Sequence, residues 1–175
     1  HTYARRRITD EEGFPPHGLT DMAKALRVSC NIYFAHLGID LGANALDSTA
    51  RQQFGLSHMP PLAKLGEDLP DCAYGQGAVT VTPLEMARVA QAVANNGRRM
   101  PTQFIKGEPT GDAPVQAMTP AQAGLLQTML SAVTSPGGTA QGVFDGRSVH
   151  VGGKTGSAQT GAVDGVTHSW FGGFA

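Results

Sequence analysis

From Thr20 onward apolar residues recur at helical spacing: Met22 and Leu26 first, then Phe34 and Leu37 beyond the polar triplet Ser29-Cys30-Asn31. Residues three or four apart share one face of a helix. The pattern therefore predicts two helices separated by a turn, with those four side chains toward a core. "ALDSTARQQFGL" (45–56) predicts another short helix, ended by Gly55. The next stretch, "SHMPPLAKLGEDLPD", is broken by prolines and predicts little regular structure. Two longer helices then announce their own starts. In "VTVTPLEMARVAQAVANNG" Thr82 is an N-cap, Pro83 fits the first helical position and Glu85 closes a capping box, while Asn95-Asn96-Gly97 marks the stop. "TPAQAGLLQTMLSAV" repeats the grammar with Thr119, Pro120 and Gln122, shows an apolar face of Leu125, Leu126, Met129, Leu130 and Val133, and ends at Ser135-Pro136-Gly137-Gly138.

Residues 1–17 are polar, contain proline and carry no period, which predicts a loop or extended arm. From Arg147 the pattern changes. Val149 and Val151 alternate, a glycine cluster follows, and "THSWFGGFA" closes the chain, so two antiparallel strands joined around Gly161–Gly165 are expected. Helices first and strands last favours an α+β fold, an antiparallel sheet flanked by helices, over a doubly wound sheet. The expected organisation is one domain over 1–175, its helical part at about 18–135 and its hairpin at about 147–175. Neither end reads as a natural boundary, since the last residues fall inside a predicted strand.

Composition narrows the function classes. The 175 residues are 41% hydrophobic and 15% charged with 23 glycines, which fits a globular chain rich in turns. Net charge is -1, and the basic run Arg5-Arg6-Arg7 is followed at once by acidic residues, so no nucleic-acid surface is indicated. No apolar run approaches the roughly 18 residues of a spanning helix, and no signal peptide opens the chain. Cys30 and Cys72 read as two free thiols. His17, His36, His58 and His150 show no metal-ligand spacing, His168 reads as a structural histidine, and Trp170 and Phe171 read as core. Neither metal nor cofactor is expected.

The stretch with candidate chemistry is "VHVGGKTGSAQTG", 149–161. A phosphate loop needs glycine where Ser148 stands, and an amphipathic helix after Thr155; both are lacking. One remaining reading is a hairpin whose glycines only allow close packing. The other is functional: Gly153 and Gly156 admit a substrate backbone to the strand edge, Lys154 supplies positive potential, and Thr155 and Ser157 hold a carboxylate. Such a site needs a partner, and Ser29 with Asn31 in the inter-helix turn is the candidate, although serine and asparagine also serve as ordinary helix caps.

"SCN", "YGQGAVTVTPLEMARVAQAVANNG", "GGTA", "GKTGSAQ" and "HSWFGGFA", in this order and spacing, resemble the transpeptidase domain of the penicillin-binding proteins, the class B members more than the class A ones. The resemblance runs from about Leu19 to Ala175 and implies the fold shared with serine β-lactamases, incomplete here at both ends. It also implies a peptidoglycan D,D-transpeptidase that cross-links stem peptides through an acyl-serine intermediate and is trapped by β-lactams. In that frame Ser29 relays a proton to the leaving amine, Asn31 holds a substrate amide and Lys154 keeps Ser29 polarised. Thr155, Gly156 and Ser157 form the substrate-binding edge, with Ser157 N–H one of two oxyanion donors. Further implications are an extracytoplasmic bacterial location, a membrane anchor N-terminal to this segment, and a cell-wall glycan polymerase as partner.

One element of the pattern is missing. The family's nucleophile stands in an S-x-x-K motif, and no serine here has lysine three residues on. The chain alone is therefore expected to be inactive, its nucleophile lying outside this sequence. Two alternatives share the fold: a non-catalytic module binding muropeptides or β-lactams, and a serine β-lactamase relative.

Overall fold

The computed structural model describes residues 2–3, 6–10, 15–108, 113–159 and 166–175. After a short antiparallel pair, β1 (Thr2–Tyr3) and β2 (Arg6–Arg7), the chain enters α1 (Met22–Val28) and α2 (Asn31–Leu41). The predicted helix–turn–helix is present. Its buried positions, however, are the small residues Ala25, Ala35 and Gly38, while Met22, Leu26, Phe34 and Leu37 are half-buried. The reason is close helix contact: a Cβ on Gly38 would overlap the Ala73 side chain.

Next come α3 (Ala43–Ser48), which continues as a π-helical turn over Thr49–Gln53, then α4 (Leu62–Glu67) and α5 (Leu69–Ala73). The proline-rich stretch is thus helical and not irregular. Its prolines stand at helix starts, where a missing N–H costs nothing: Pro61 precedes α4 and Pro70 lies in the first turn of α5. This segment also supplies a compact core of Ala50, Met59, Leu65 and Cys72, with Leu46, Leu56 and Val79 against it.

Both capping boxes form, on α6 (Pro83–Ala94) and α7 (Pro120–Thr134). The α6 box does more than cap. Glu85 is buried and also accepts hydrogen bonds from Ser57 N–H (2.7 Å) and Ser57 Oγ (2.8 Å), tying the helix start to the segment before α4. A second short pair, β3 (Arg98–Arg99) with β4 (Val115–Gln116), separates the two helices. On α7 Ala123 and Val133 are buried, whereas Leu125 is exposed.

The final hairpin joins β5 (Gly152–Gln159) to β6 (Thr167–Phe174) in antiparallel register, Lys154 opposite Gly172 and Ser157 opposite Ser169. The predicted turn at Gly161–Gly165 lies outside the described residues. The strand begins at Gly152, leaving Val149 exposed and outside it. Phe171 is 41% exposed and Trp170 only half-buried, so neither is core. Among the described residues this sheet has two strands, and its aromatic residues instead border a cavity of about 750 Å³ between β6 and the Pro83–Ala90 side of α6. α7 packs on α1 and on β5, and so links the two regions that carry the candidate chemistry.

Candidate active site

Ser29 ends α1 in the left-handed conformation, φ 56° and ψ 50°. A residue with a Cβ avoids this region at a cost of about 1 kcal/mol or more, and such strain concentrates at functional sites. The turn is closed by Cys30 N–H donating to Ala25 O at 2.9 Å. The helix that follows has no cap of its own, since the Cys30 side chain makes no capping bond. Asp10 substitutes for it from the arm: its Oδ1 accepts from Asn31 N–H at 2.7 Å and Ile32 N–H at 3.3 Å. A carboxylate there also suits the positive end of the helix dipole. Asp10, in the stretch expected to be a loop or extended arm, therefore has a defined task.

Lys154 reaches across from β5. Its Nζ donates to Ser29 Oγ at 2.7 Å and to Thr155 O at 2.8 Å. Burial, which disfavours the ammonium, lowers its pKa to about 8. Since Lys154 gives a proton to the hydrogen bond, Ser29 keeps its own hydroxyl proton free to donate elsewhere. That is the polarity a relay from lysine through serine to a leaving amine requires.

The neighbours of Lys154 extend the site. Thr155 Oγ1 lies 2.6 Å from Thr139 Oγ1, so two hydroxyls stand together where the resemblance places one. Thr139 is brought there by α1 itself: Thr139 N–H donates to Arg27 O at 3.2 Å, and Arg27 Nη2 donates to Pro136 O at 2.9 Å. Further along β5, Gly156 and Ser157 are exposed, and Ser157 O accepts from Gln76 Nε2 at 3.0 Å. At Gly153 a Cβ would overlap the Phe171 ring and the Gly172 carbonyl, so the packing of β5 against β6 requires glycine there.

Ser29, Lys154 and Thr155 are thus joined directly, and Ser157 extends along the same strand. Asn31 opens α2 two residues from Ser29, and among the described residues no hydrogen bond joins its side chain to Lys154 or Thr155. Sequence reading missed Asp10, Thr139, Arg27 and Gln76. For Thr139 and Gln76 a signal existed in "GGTA" and "YGQG"; for Asp10 and Arg27 there was none. Both cysteines are free, as expected, and both are buried. Burial, with the Asp10 carboxylate adding to it, pushes the Cys30 thiol pKa up. His17, without metal-ligand spacing in the sequence, lies in space beside Asp10 and Cys30. No helix of the described residues is long and apolar enough to cross a membrane.

A lysine on an antiparallel strand is thus hydrogen-bonded to a serine held between two helices. The structure is similar to that of penicillin-binding protein A from M. tuberculosis in an imipenem acyl-enzyme complex, with a TM-score of 0.69 and 28% identity over 87% of this chain and 39% of that one. In sequence it is 30% identical to the peptidoglycan D,D-transpeptidase PbpA of Mycolicibacterium smegmatis, across 91% of this chain and 37% of that protein. It is 31% identical to penicillin-binding protein 3 of Bacillus subtilis, across 88% of this chain and 26% of that protein. Residues 6–175 match the penicillin binding protein transpeptidase domain, and the chain belongs to that family. It spans about a quarter to just over a third of the length of these two relatives.

Proposed function

We propose that residues 1–175 are one part of a peptidoglycan D,D-transpeptidase domain, carrying its proton-relay and carboxylate-binding groups, and that the acylated serine lies elsewhere in the protein. The observation that carries this reading is the 2.7 Å hydrogen bond from Lys154 to Ser29 in a chain of this family. When the nucleophile attacks the penultimate D-alanine carbonyl, the scissile C–N bond breaks and the departing amine needs a proton. Ser29 Oγ–H gives it and is reprotonated from Lys154 Nζ. The paired hydroxyls of Thr155 and Thr139, with the exposed Ser157, hold the terminal carboxylate, and Ser157 N–H supplies one oxyanion donor; losing such a donor typically costs about 100- to 1,000-fold in rate. Asn31 holds a substrate amide, and Gly156 leaves the strand edge open to the stem peptide.

By the same reading the domain works outside the cytoplasm, binds stem peptides and β-lactams, is held to the membrane by a separate anchor, and works beside a cell-wall glycan polymerase. Intact mass after incubation with a fluorescent penicillin tests it, on this chain alone and on the full-length protein. The expected result is one label per full-length molecule and none on the short chain. Stoichiometric labelling of the short chain puts the nucleophile within it, and labelling of neither favours a non-catalytic binding module. Measurable turnover of the label favours a β-lactamase.

A further inference from the structure

Successive residues of a β-strand turn their N–H and C=O groups to opposite edges, so residues two apart share an edge. Along β5 and just before it, the carbonyls of Val151, Thr155 and Ser157 accept hydrogen bonds from side chains outside β6. The donors are Thr134 Oγ1 at 2.6 Å, Lys154 Nζ at 2.8 Å and Gln76 Nε2 at 3.0 Å. These residues therefore present the edge of β5 that faces away from β6. The first two bonds are partly buried, whereas the one from Gln76 to Ser157 is exposed.

The turn after α5 is built to deliver this side chain. Gln76 N–H donates to Asp71 O at 2.8 Å, and the residue stands between Gly75 and Gly77, whose φ of 89° and 68° a side chain would resist. With the backbone fixed there, rotation of the side chain is enough to release Ser157. In an antiparallel pair, two residues directly opposite exchange both of their N–H···O=C bonds. On the transpeptidase reading, on which this inference rests, Ser157 N–H receives the acyl donor's carbonyl oxygen. The residue that owns that carbonyl then directs its own N–H at Ser157 O, the atom Gln76 already holds. A carboxamide N–H is the same kind of donor as a peptide N–H, so Gln76 occupies the substrate's place on the strand edge.

We propose that Gln76 is a specificity-determining residue that competes with the acyl donor's N–H for Ser157 O. It keeps this exposed carbonyl paired in the unliganded enzyme, and its side chain swings out when a donor brings an amide N–H to the same atom. A ligand without that N–H leaves the bond from Gln76 in place. Gln76 thus sets how strongly the site prefers amide-bearing donors.

The test measures second-order acylation rate constants on the full-length protein with two β-lactams. Ampicillin carries an acylamino group on the carbon next to its lactam carbonyl; imipenem carries a hydroxyethyl group there and no N–H. Gln76→Met keeps the length of the side chain and Gln76→Ala removes it, and neither can donate to Ser157 O. Both variants should raise the ampicillin-to-imipenem ratio about 3- to 10-fold, the worth of one hydrogen bond, with the imipenem constant changed less than about twofold. Thermal denaturation checks that both are folded, and a general loss of structure would move both constants together. An unchanged ratio overturns the proposal. So does a lowered one, which would make Gln76 a support of the bound ligand. Acylation of the wild type by neither compound overturns this proposal together with the reading beneath it, whereas acylation by both at a ratio the variants do not raise overturns this proposal alone.

Discussion

Lys154 and Ser29 meet at 2.7 Å yet are held by opposite means. Lys154 belongs to a strand paired in continuous register with β6, seated where Gly152 and Gly153 fit beneath aromatic rings. Ser29 stands at a strained helix end, and the helix after it borrows its cap from a residue 21 positions before Asn31. Ladder hydrogen bonds back one another up, whereas the turn depends on a few single contacts. One half of the site is therefore a fixed wall and the other an adjustable one, and substitutions on the two sides should fail differently.

The largest effect belongs to the wall. Lys154→Ala in the full-length protein should lower the rate of acylation by penicillin about 10²- to 10⁴-fold, the range of a lost acid–base group, while the β5–β6 ladder and thermal stability persist. A variant that unfolds would show that the lysine also holds the hairpin. Ser29→Gly comes next: acylation falls about 100-fold, but stability holds or rises by about 1 kcal/mol or less, because glycine adopts φ 56° without strain. Ser29→Ala keeps the strain and should melt lower than Ser29→Gly. The reverse order would remove the claim that this turn is strained.

Asp10→Ala tests the borrowed cap, with an expected loss of about 1 kcal/mol in chemical denaturation and a smaller effect on acylation than either substitution above. No change would mean that α2 does not depend on the arm. Titration separates the halves more finely. Because the Lys154 pKa is lowered from 10.5 to about 8, the unfolded chain binds an extra proton between those values. Stability should therefore rise with pH across that window, and Lys154→Met should abolish that rise. Acylation should decline above pH 8 as the ammonium is lost. The smallest effect is expected from Thr139→Val, which leaves Thr155 in place but without its partner; apparent β-lactam affinity should fall only a few-fold, about the worth of one hydrogen bond.

The same division decides what the sequence could reveal. The helix starts at Thr82 and Thr119 were legible because a capping box is complete within four residues, and the lysine–threonine–glycine strand and the serine turn were visible as motifs. The helices at Leu62–Glu67 and Leu69–Ala73 were not, because prolines that serve as helix starts look like breakers until the helix around them is seen. Trp170 and Phe171 were misplaced because aromatic character reports what a side chain can bury, not whether a neighbour covers it. Asp10 and Arg27 act on backbone groups 21 and 109 positions away, and backbone groups carry no residue-specific signal.

The contact between Lys154 and Ser29 spans 125 positions of chain. Closing a flexible loop of that length costs about 4 kcal/mol in chain entropy, several times the worth of one hydrogen bond. With α7 packed on both α1 and β5, the contact is expected to form after that helix has docked, as a late event in folding. A covalent penicillin label that depends on it would count only molecules that have finished that closure. Labelled fraction against time after dilution from denaturant thus becomes a clock for the last step of folding.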